Sequence, residues 1–235
     1  MTRRRTLSSC LALAAVAATP CPARAQEPAG GISYEPAPPA LDGVTAGVLL
    51  SRRSELLGRR LTFKGTLEER FAGRTVVLQR RLPEGGWVEL ARTVADASAA
   101  FRTGWRTDRI GRLDVRALPI AADGAPSPAT APRRITVYRP ARATFFGPGL
   151  YGRQTACGQT LTPRLAGVAH RTLPCGTLVD LLYAGRTATV PVVDRGPFRA
   201  GHSWDLTAAT ARELGFTTSD TIGAVRVRDE PPVSP

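Results

Sequence analysis

Residues 193–206 read VDRGPFRAGHSWDL and place two carboxylates, Asp194 and Asp205, on either side of a Gly–Pro turn. The apolar run at residues 188–193 predicts a strand that leaves the core just before Asp194. A carboxyl group at such a strand end can be partly shielded from water, which makes its pKa adjustable for acid/base chemistry. The alternative interpretation is a turn aspartate that hydrogen-bonds its own backbone.

The first 25 residues have the organisation of a secretory signal peptide. Arg3–Arg4–Arg5 forms a basic segment, residues 11–18 form a short apolar run, and Ala23–Arg24–Ala25 fits a cleavage site. The apolar run is too short to span a bilayer, and no later segment of the sequence is long enough. We therefore expect a secreted or cell-envelope protein that has no transmembrane segment.

Export would leave two of the four cysteines, Cys157 and Cys175, in an oxidising compartment. This pattern favours a disulfide between them over two buried thiols. The bond would close a loop of about 18 residues and contribute roughly 3 kcal/mol to stability. Neither these cysteines nor the two histidines have the spacing of metal ligands, so we expect no metal, and no cofactor motif is present.

The chain is strongly basic. Its formal net charge of +13 falls to +9 if the four arginines of residues 1–25 are removed with the signal peptide. A basic exported protein suits anionic polymers of the cell wall. Nucleic acid is not an expected partner, because the arginines are scattered and no series of aromatic residues interleaves them.

The segment before residue 139 predicts a linker and then a β-sandwich. Residues 26–42 are rich in Pro, Ala and Gly, a composition typical of a flexible linker. Residues 43–138 contain about seven short β-like runs separated by turn residues, a spacing typical of a β-sandwich. Trp87 and Trp105 are expected to be core or sheet-face aromatics. The pattern resembles the immunoglobulin-like modules that exported bacterial proteins carry as spacers.

Residues 141–229 form a second predicted domain, after a boundary at Arg139–Pro140. Five β runs and Gly-rich loops fill most of it, including a predicted hairpin turn at residues 183–186. Residues 207–214 predict a helix with Thr207 as its N-cap and Gly215 just after its end. About ninety residues of this kind predict an all-β, compact barrel that a disulfide stabilises.

Several short motifs of the second domain occur in a fixed order. They are FGPG at residues 146–149, TACG at 155–158, AHRTLP at 169–174, VDRGPF at 193–198 and DLT at 205–207. In this order they resemble the double-psi β-barrel of the rare lipoprotein A (RlpA) family, over residues 143–228. The resemblance implies a six-stranded barrel with one short helix and an activity on peptidoglycan as a septal lytic transglycosylase. The barrel is also similar to the first domain of expansins, which loosen walls without evident hydrolysis.

The resemblance implies three candidate catalytic residues, His170, Asp194 and Asp205, with Asp194 as the acid/base. In a lytic transglycosylase the C6 hydroxyl of the sugar itself attacks, so one acid/base group is enough. For His170, the alternative is a core histidine that backbone groups satisfy. Candidate substrate-binding residues surround this set and include three aromatics expected to stack on sugar rings: Tyr151, Gln159, Arg195, Phe198 and Trp204.

The sequence departs from the lytic members of the family at two positions. Those members carry Glu where this chain has Gln159 and Asp where it has Thr162. An amide cannot donate a proton as a carboxylic acid does, so three functions stay open. One is a lytic enzyme with Asp194 as acid/base, and another is a non-catalytic, expansin-like module that binds or loosens wall glycan. The third is an interaction module for other wall enzymes. The expected partner is peptidoglycan or a related anionic wall glycan, and other wall enzymes are a further class of partner.

Overall fold

The structure is a computed structural model, and it describes residues 47–227. The predicted signal peptide and linker lie outside these residues. Within the described range the chain is all-β, apart from one α-helix and one 3-10 turn at Glu69–Phe71, and neither is long and apolar enough to cross a membrane. The elements are, in chain order, β1 (Gly47–Ser51), β2 (Ser54–Leu56), β3 (Arg60–Leu67), β4 (Thr75–Arg81), β5 (Trp87–Val94), β6 (Ala100–Arg106), β7 (Gly111–Pro119), β8 (Arg133–Phe146), β9 (Val168–Ala169), β10 (Leu178–Tyr183), β11 (Arg186–Asp194), β12 (Trp204–Thr207), α1 (Ala208–Leu214) and β13 (Asp220–Arg226).

Two sheets enclose the core of the first half. One sheet has the antiparallel strand order β1-β3-β6, and the other contains β5, β4, β7 and β8 in that order, with β2 beside β8. Alternate residues of β3, including Leu61 and Phe63, point inward and are buried. They share one hydrophobic cluster with Leu78 of β4 and Val137 of β8. The sheets therefore form two layers around a single apolar core, and the immunoglobulin-like classification of this half stays a prediction.

The second half is a closed six-stranded barrel. Its strand order is β12-β9-β11-β10-β13-β8, and β12 pairs again with β8 to close the circle. Inward residues such as Val168, Leu181 and Leu206 form its own hydrophobic cluster, to which Ala211 and Leu214 of α1 also belong. The six strands and one short helix confirm the predicted barrel.

Strand β8 belongs to both halves. It runs from Arg133 to Phe146 and passes through the predicted boundary at Arg139–Pro140. Its first part pairs with β7 and β2, whereas its second part pairs with β13 and β12. The two apolar clusters lie before and after this position in the chain. One strand therefore connects two separate cores.

An ion pair between a buried carboxylate and an exposed arginine also connects the two halves. Arg112 of β7 donates two hydrogen bonds to the carboxylate of Asp180 on β10, at 2.8 and 2.9 Å. The hydroxyl of Thr189 donates a third at 2.6 Å. Since the Asp180 carboxylate is buried, these donors replace the water that it lost on folding.

Local sequence signals account for the turn and the helix ends. Ala184 and Gly185 have positive φ values of 46° and 81°, as a type I′ hairpin turn between β10 and β11 requires. The hydroxyl of Thr207 accepts a hydrogen bond from the Thr210 backbone N–H and caps α1. Gly215 ends the helix in the left-handed region. The predicted hairpin, N-cap and helix end are confirmed.

Candidate functional site

Four neighbouring strands carry a row of paired residues that includes both candidate aspartates. Asp194 at the end of β11 pairs with Ala169 of β9, Ala169 pairs with Asp205 of β12, and Asp205 pairs with Thr144 of β8. Directly paired residues project from the same face of a sheet. The Cα atoms of the two aspartates are therefore two strand spacings apart, about 10 Å, with only the methyl group of Ala169 between them.

The alternation of the strands explains why this row faces outward. Val168 and Leu206 are fully buried in the barrel core, so the next residue along each strand, Ala169 or Asp205, points to the other side. A β-bulge between Val192 and Asp194 inserts one extra residue in β11 and brings Asp194 into the row.

Backbone N–H groups fix the carboxylate of Asp194. Its Oδ1 accepts hydrogen bonds from the N–H groups of Ala156 and Arg195, both at 2.8 Å. Its backbone carbonyl accepts the N–H of His170 at 3.2 Å. Asp194 thus accepts a hydrogen bond from the backbone of the next residue, as the turn interpretation predicts. It also connects the loop at residues 153–161 to the end of β9.

The carboxylate of Asp205 is partly shielded from water. Burial raises the pKa of Asp205 above its ordinary value. The Thr144 hydroxyl, which donates a hydrogen bond to Oδ1 at 2.7 Å, opposes this rise, whereas the negative charge of Asp194 adds to it. The net effect favours the protonated form of Asp205 more than in an exposed aspartate.

The surroundings of His170 favour a neutral imidazole with a free N–H. Burial lowers the pKa of His170, and the positive charges of Arg171 and Arg195 lower it further. Its Nδ1 accepts the backbone N–H groups of Thr172 and Leu173 at 3.2 and 3.1 Å. Because Nδ1 is an acceptor, the proton of the neutral ring lies on Nε2, which can donate a hydrogen bond.

Trp204 supports His170 from the barrel core. The two ring centroids lie 4.4 Å apart with an interplanar angle of 47°. The sequence placed Trp204 among the residues that stack on sugars, but it is only 7% exposed. The physical reason is strand β12, in which Trp204 and Leu206 face inward and Asp205 faces outward.

The predicted disulfide between Cys157 and Cys175 is confirmed, with a Cα–Cα distance of 5.6 Å. It ties the loop that holds Ala156 against Asp194 to the segment that follows His170. Arg195 strengthens the same wall, because its guanidinium donates to the carbonyl of Leu173 at 2.9 Å and to the Cys175 Sγ at 3.3 Å. Arg195 is therefore engaged by acceptors of the protein itself.

The loop after Asp194 presents the most exposed large apolar side chain of the described residues, Phe198, which is 81% exposed. The guanidinium of Arg171 holds this loop by donating to the carbonyls of Pro197, Arg199 and His202, at 2.6, 3.0 and 2.9 Å. The sequence analysis did not single out Arg171, although it lies inside the AHRTLP motif. A surface loop with three carbonyls bound to one side chain keeps Phe198 in a defined position.

The remaining candidates lie on loops around the row. Tyr151 is 38% exposed, and its hydroxyl lies next to Gly147, where a Cβ atom would be only 3.0 Å from it. Gln159 is exposed on the loop that the disulfide holds, and its side-chain oxygen accepts the Thr155 hydroxyl at 3.4 Å. Thr162 is exposed as well, and its hydroxyl accepts the N–H of Leu165. At the two positions where the resemblance implies acids, the chain therefore has exposed, neutral side chains.

Sequence comparisons match the barrel. The model of the family described as "Lytic transglycolase" matches residues 142–228. The "Probable endolytic peptidoglycan transglycosylase RlpA" of Synechocystis is 43% identical over 79 residues, which are 33% of this chain and 25% of that protein. The "Endolytic peptidoglycan transglycosylase RlpA" of Pasteurella multocida is 42% identical over 87 residues, 36% of this chain and 29% of that protein.

The match covers a minor share of each relative. The Aquifex aeolicus relative, "Probable endolytic peptidoglycan transglycosylase RlpA", is 40% identical over 34% of this chain and 36% of its own length. Among solved structures, the "Streptomyces papain inhibitor (SPI)" is 27% identical over 36% of this chain and 91% of its own chain, with a TM-score of 0.29. The similarity to the RlpA proteins therefore concerns the domain that carries the aspartate row, and the first half of the chain lies outside it.

Proposed function

Because residues 142–228 form an RlpA-like double-psi β-barrel, we propose that this protein cleaves peptidoglycan glycan strands as a lytic transglycosylase. The observation that supports this proposal best is the row in which Asp194 and Asp205 flank Ala169 on one face of the barrel. The row supplies two carboxylates and His170, the residue after Ala169, supplies a neutral N–H donor, and these are the kinds of group that glycosidic bond cleavage needs.

The reaction needs one proton donor and one proton acceptor, and a single carboxyl group can be both. The acid gives its proton to the glycosidic oxygen, and the bond between C1 and that oxygen breaks. The C6 hydroxyl of the same sugar then bonds to C1 and returns its proton to the carboxylate. No water is consumed, the product carries a 1,6-anhydro ring, and the enzyme ends in its initial protonation state.

We assign these roles to the aspartate pair. Asp194 is the acid/base that the sequence indicates, and Asp205, whose pKa is raised by burial, is the second carboxyl group of the row. The carboxylate that stays ionised then stabilises the positive charge that develops on the sugar ring. His170 contributes its Nε2–H as a hydrogen-bond donor to the substrate, and the exposed rings of Phe198 and Tyr151 bind the faces of neighbouring sugars.

The presence of Gln159 in place of a glutamate limits the number of carboxyl groups in the proposed site. With Gln159 and Thr162 on its rim, the site contains the aspartate pair but lacks the acids that the lytic family members carry there. In this proposal the pair is sufficient, because the C6 hydroxyl replaces water and no separate base is required.

The cell wall is the place where this substrate occurs. We therefore propose that the protein is exported and works in the envelope, as residues 1–25 predict, and that its partner is peptidoglycan. The basic character of the chain agrees with an anionic polymer as the partner.

The proposal is tested by incubating the purified protein with peptidoglycan and searching for anhydro-sugar products by mass spectrometry. We expect such products from the natural protein and a loss of about 10²–10⁴ in rate for Asp194→Asn and for Asp205→Asn. Glu213→Gln is the matched control, because it removes an exposed carboxylate of α1 outside the row, and it should keep full activity.

Each contrary outcome has a defined meaning. Products from both Asp194→Asn and Asp205→Asn at the natural rate would refute the assignment of the pair. Wall binding by the natural protein with no product under any condition would refute catalysis and support the expansin-like alternative.

A further inference from the structure

The three-stranded sheet of the first half exposes an unusual set of cations. Arg60 and Lys64 of β3 and Arg102 and Arg106 of β6 are all exposed. Each lies at an alternate position of its strand, opposite in direction to the buried residues of the core, so all four project from one surface. We call this surface the basic sheet face.

The strand register pairs the four residues that carry these charges with each other. Arg60 pairs with Arg106, and Lys64 pairs with Arg102. Like charges at directly opposite positions destabilise a sheet. The rest of the face carries no acid to compensate, since the other described residues that the register places on it are Leu50, Thr62, Thr66, Ala100 and Gly104.

Three other surface arginines of this half are paired with carboxylates. Arg70, Arg92 and Arg134 each form an ion pair with a nearby Glu or Asp at 2.8–3.0 Å. Among residues 47–227, no ion pair joins any of the four cations of the basic sheet face to a carboxylate. The face therefore concentrates positive charge at a cost to the sheet, and an anion from outside the described chain would relieve that cost.

The shape of the face suits an extended polymer. The Arg60–Arg106 pair and the Lys64–Arg102 pair are four residues apart along the strands, which corresponds to roughly 13 Å. Between them lie Thr62 and Gly104. The Arg60 guanidinium lies across Gly104, where an added Cβ atom would come within 2.6 Å of its Nε, so the glycine makes room for this cation between the two pairs.

We propose that the basic sheet face binds the carboxylates of the stem peptides of peptidoglycan. Guanidinium and ammonium groups form strong charge-assisted hydrogen bonds with carboxylates. The choice of this polyanion rests on the proposed function, because a polymer held by the sheet face and by the barrel of the same chain gains affinity from both contacts. The first half then serves as the wall-binding part of the protein.

The test measures sedimentation of the full-length protein with purified sacculi. Lys64→Gln/Arg102→Gln removes one opposed pair, and we expect roughly tenfold weaker binding at low salt. The affinity difference should shrink as salt is added, because the contacts are electrostatic and exposed. Arg81→Gln/Arg139→Gln is the matched control, since it removes two exposed arginines from strands of the other sheet and should bind like the natural protein.

Folding defects are excluded by the same variants. Removing an opposed like-charge pair should leave the melting temperature of Lys64→Gln/Arg102→Gln unchanged or higher. Weaker binding by a protein of undiminished stability is therefore the signature of a binding face, whereas equal binding by the pair variant and its control would overturn the proposal.

Treated sacculi identify the anion. Enzymatic removal of the stem peptides should make the natural protein and the pair variant bind sacculi equally. Acid removal of phosphodiester-linked wall polymers should leave the natural protein binding more tightly than the pair variant. The reverse result would overturn stem-peptide recognition. Product release is measured in parallel. Binding that depends on the basic sheet face without any product would contradict the proposed function alone. Product release with equal binding by the pair variant and its control would contradict the binding proposal alone.

Discussion

The β-sandwich half and the barrel half are built from the same short strands, yet they bury different atoms. The sandwich core is apolar, and its buried polar residues are threonines such as Thr107, whose hydroxyl donates to a backbone carbonyl. The barrel buries or half-buries Asp180, Asp205 and His170. Shielded ionisable groups cost stability unless they are paired, and they occur where chemistry or binding compensates. The difference supports the barrel as the place of the proposed chemistry and leaves the sandwich with charge on its surface.

The largest expected effect is on the catalytic rate and comes from adding a carboxyl group to a loop of the barrel. Gln159→Glu adds a carboxyl group beside the groove, on the loop that the disulfide fixes. We expect anhydro-sugar release to rise by up to about 10²-fold, because the new group can donate a proton. Gln154→Glu on the same exposed loop is the control and should leave the rate unchanged. Equal rates for both variants would show that position 159 lies outside the reach of the scissile bond.

The next effect concerns the disulfide, which is confined to the barrel. Cys157→Ala/Cys175→Ala should lower the free energy of unfolding by about 3 kcal/mol, since it removes an 18-residue cross-link. Activity should fall as well, because the loop that donates the Ala156 N–H to Asp194 is no longer tied down. Thermal unfolding and product release without reductant measure both. A variant with natural stability would contradict the assigned role of the bond.

Breaking the ion pair between Arg112 and the buried Asp180 should have a similar or slightly smaller effect. Arg112→Ala leaves the buried carboxylate of Asp180 without its bidentate partner, and we expect a loss of about 2–3 kcal/mol. Arg112→Leu/Asp180→Leu removes both charges and should recover most of this loss. If the double variant is as unstable as Arg112→Ala, the attraction within the ion pair stabilises the protein by more than the burial of the Asp180 carboxylate costs.

The barrel was predictable from the sequence because its motifs are local and occur in order. The hairpin at Ala184–Gly185 and the cap at Thr207 needed only a few neighbouring residues. Strand β12 was not predicted, because four residues between a glycine turn and a helix carry too little pattern. Its pairing with β8 and β9 is long-range, so the sequence did not reveal that Trp204 faces inward or that Thr144 contacts Asp205.

Pro140 shows a second limit of sequence patterns. A proline in a β run predicts a boundary, because it has no N–H for the ladder. Here it lies inside β8, between the end of the β7 pairing at Val137 and the start of the β12 pairing at Ala143. At this position β8 pairs with β13 only, so the other edge needs no N–H donor. Which edge of a strand is free depends on the complete topology, and no local signal in the sequence gives it.

A smaller effect is expected in the sandwich, where Arg80 is an exception to the apolar pattern. Its Nε and Nη1 atoms are buried without a hydrogen-bond partner. Arg80→Met keeps the apolar stem and removes these donors, so we expect a gain of about 1 kcal/mol in the free energy of unfolding. Arg81→Met, at the exposed neighbouring position, should change stability little. A loss of stability in Arg80→Met would mean that the guanidinium makes a contribution that its contacts do not account for.

The smallest expected effect is on stability and concerns Asp205, a partly shielded carboxyl group of the barrel. Since burial raises the pKa of Asp205, the folded state prefers its protonated form, and the resulting stabilisation is lost as pH rises through that raised pKa. Asp205→Asn, which cannot ionise, should therefore melt at a slightly higher temperature than the natural protein at neutral pH. The difference should disappear as pH falls towards the ordinary aspartate value. Thermal unfolding between pH 3 and pH 8 measures this, with Asp123→Asn on an exposed turn as the control. A variant that is less stable at neutral pH would show that the ionised carboxylate supports the fold, and Asp205 would then be a structural residue instead of a shielded acid kept for catalysis.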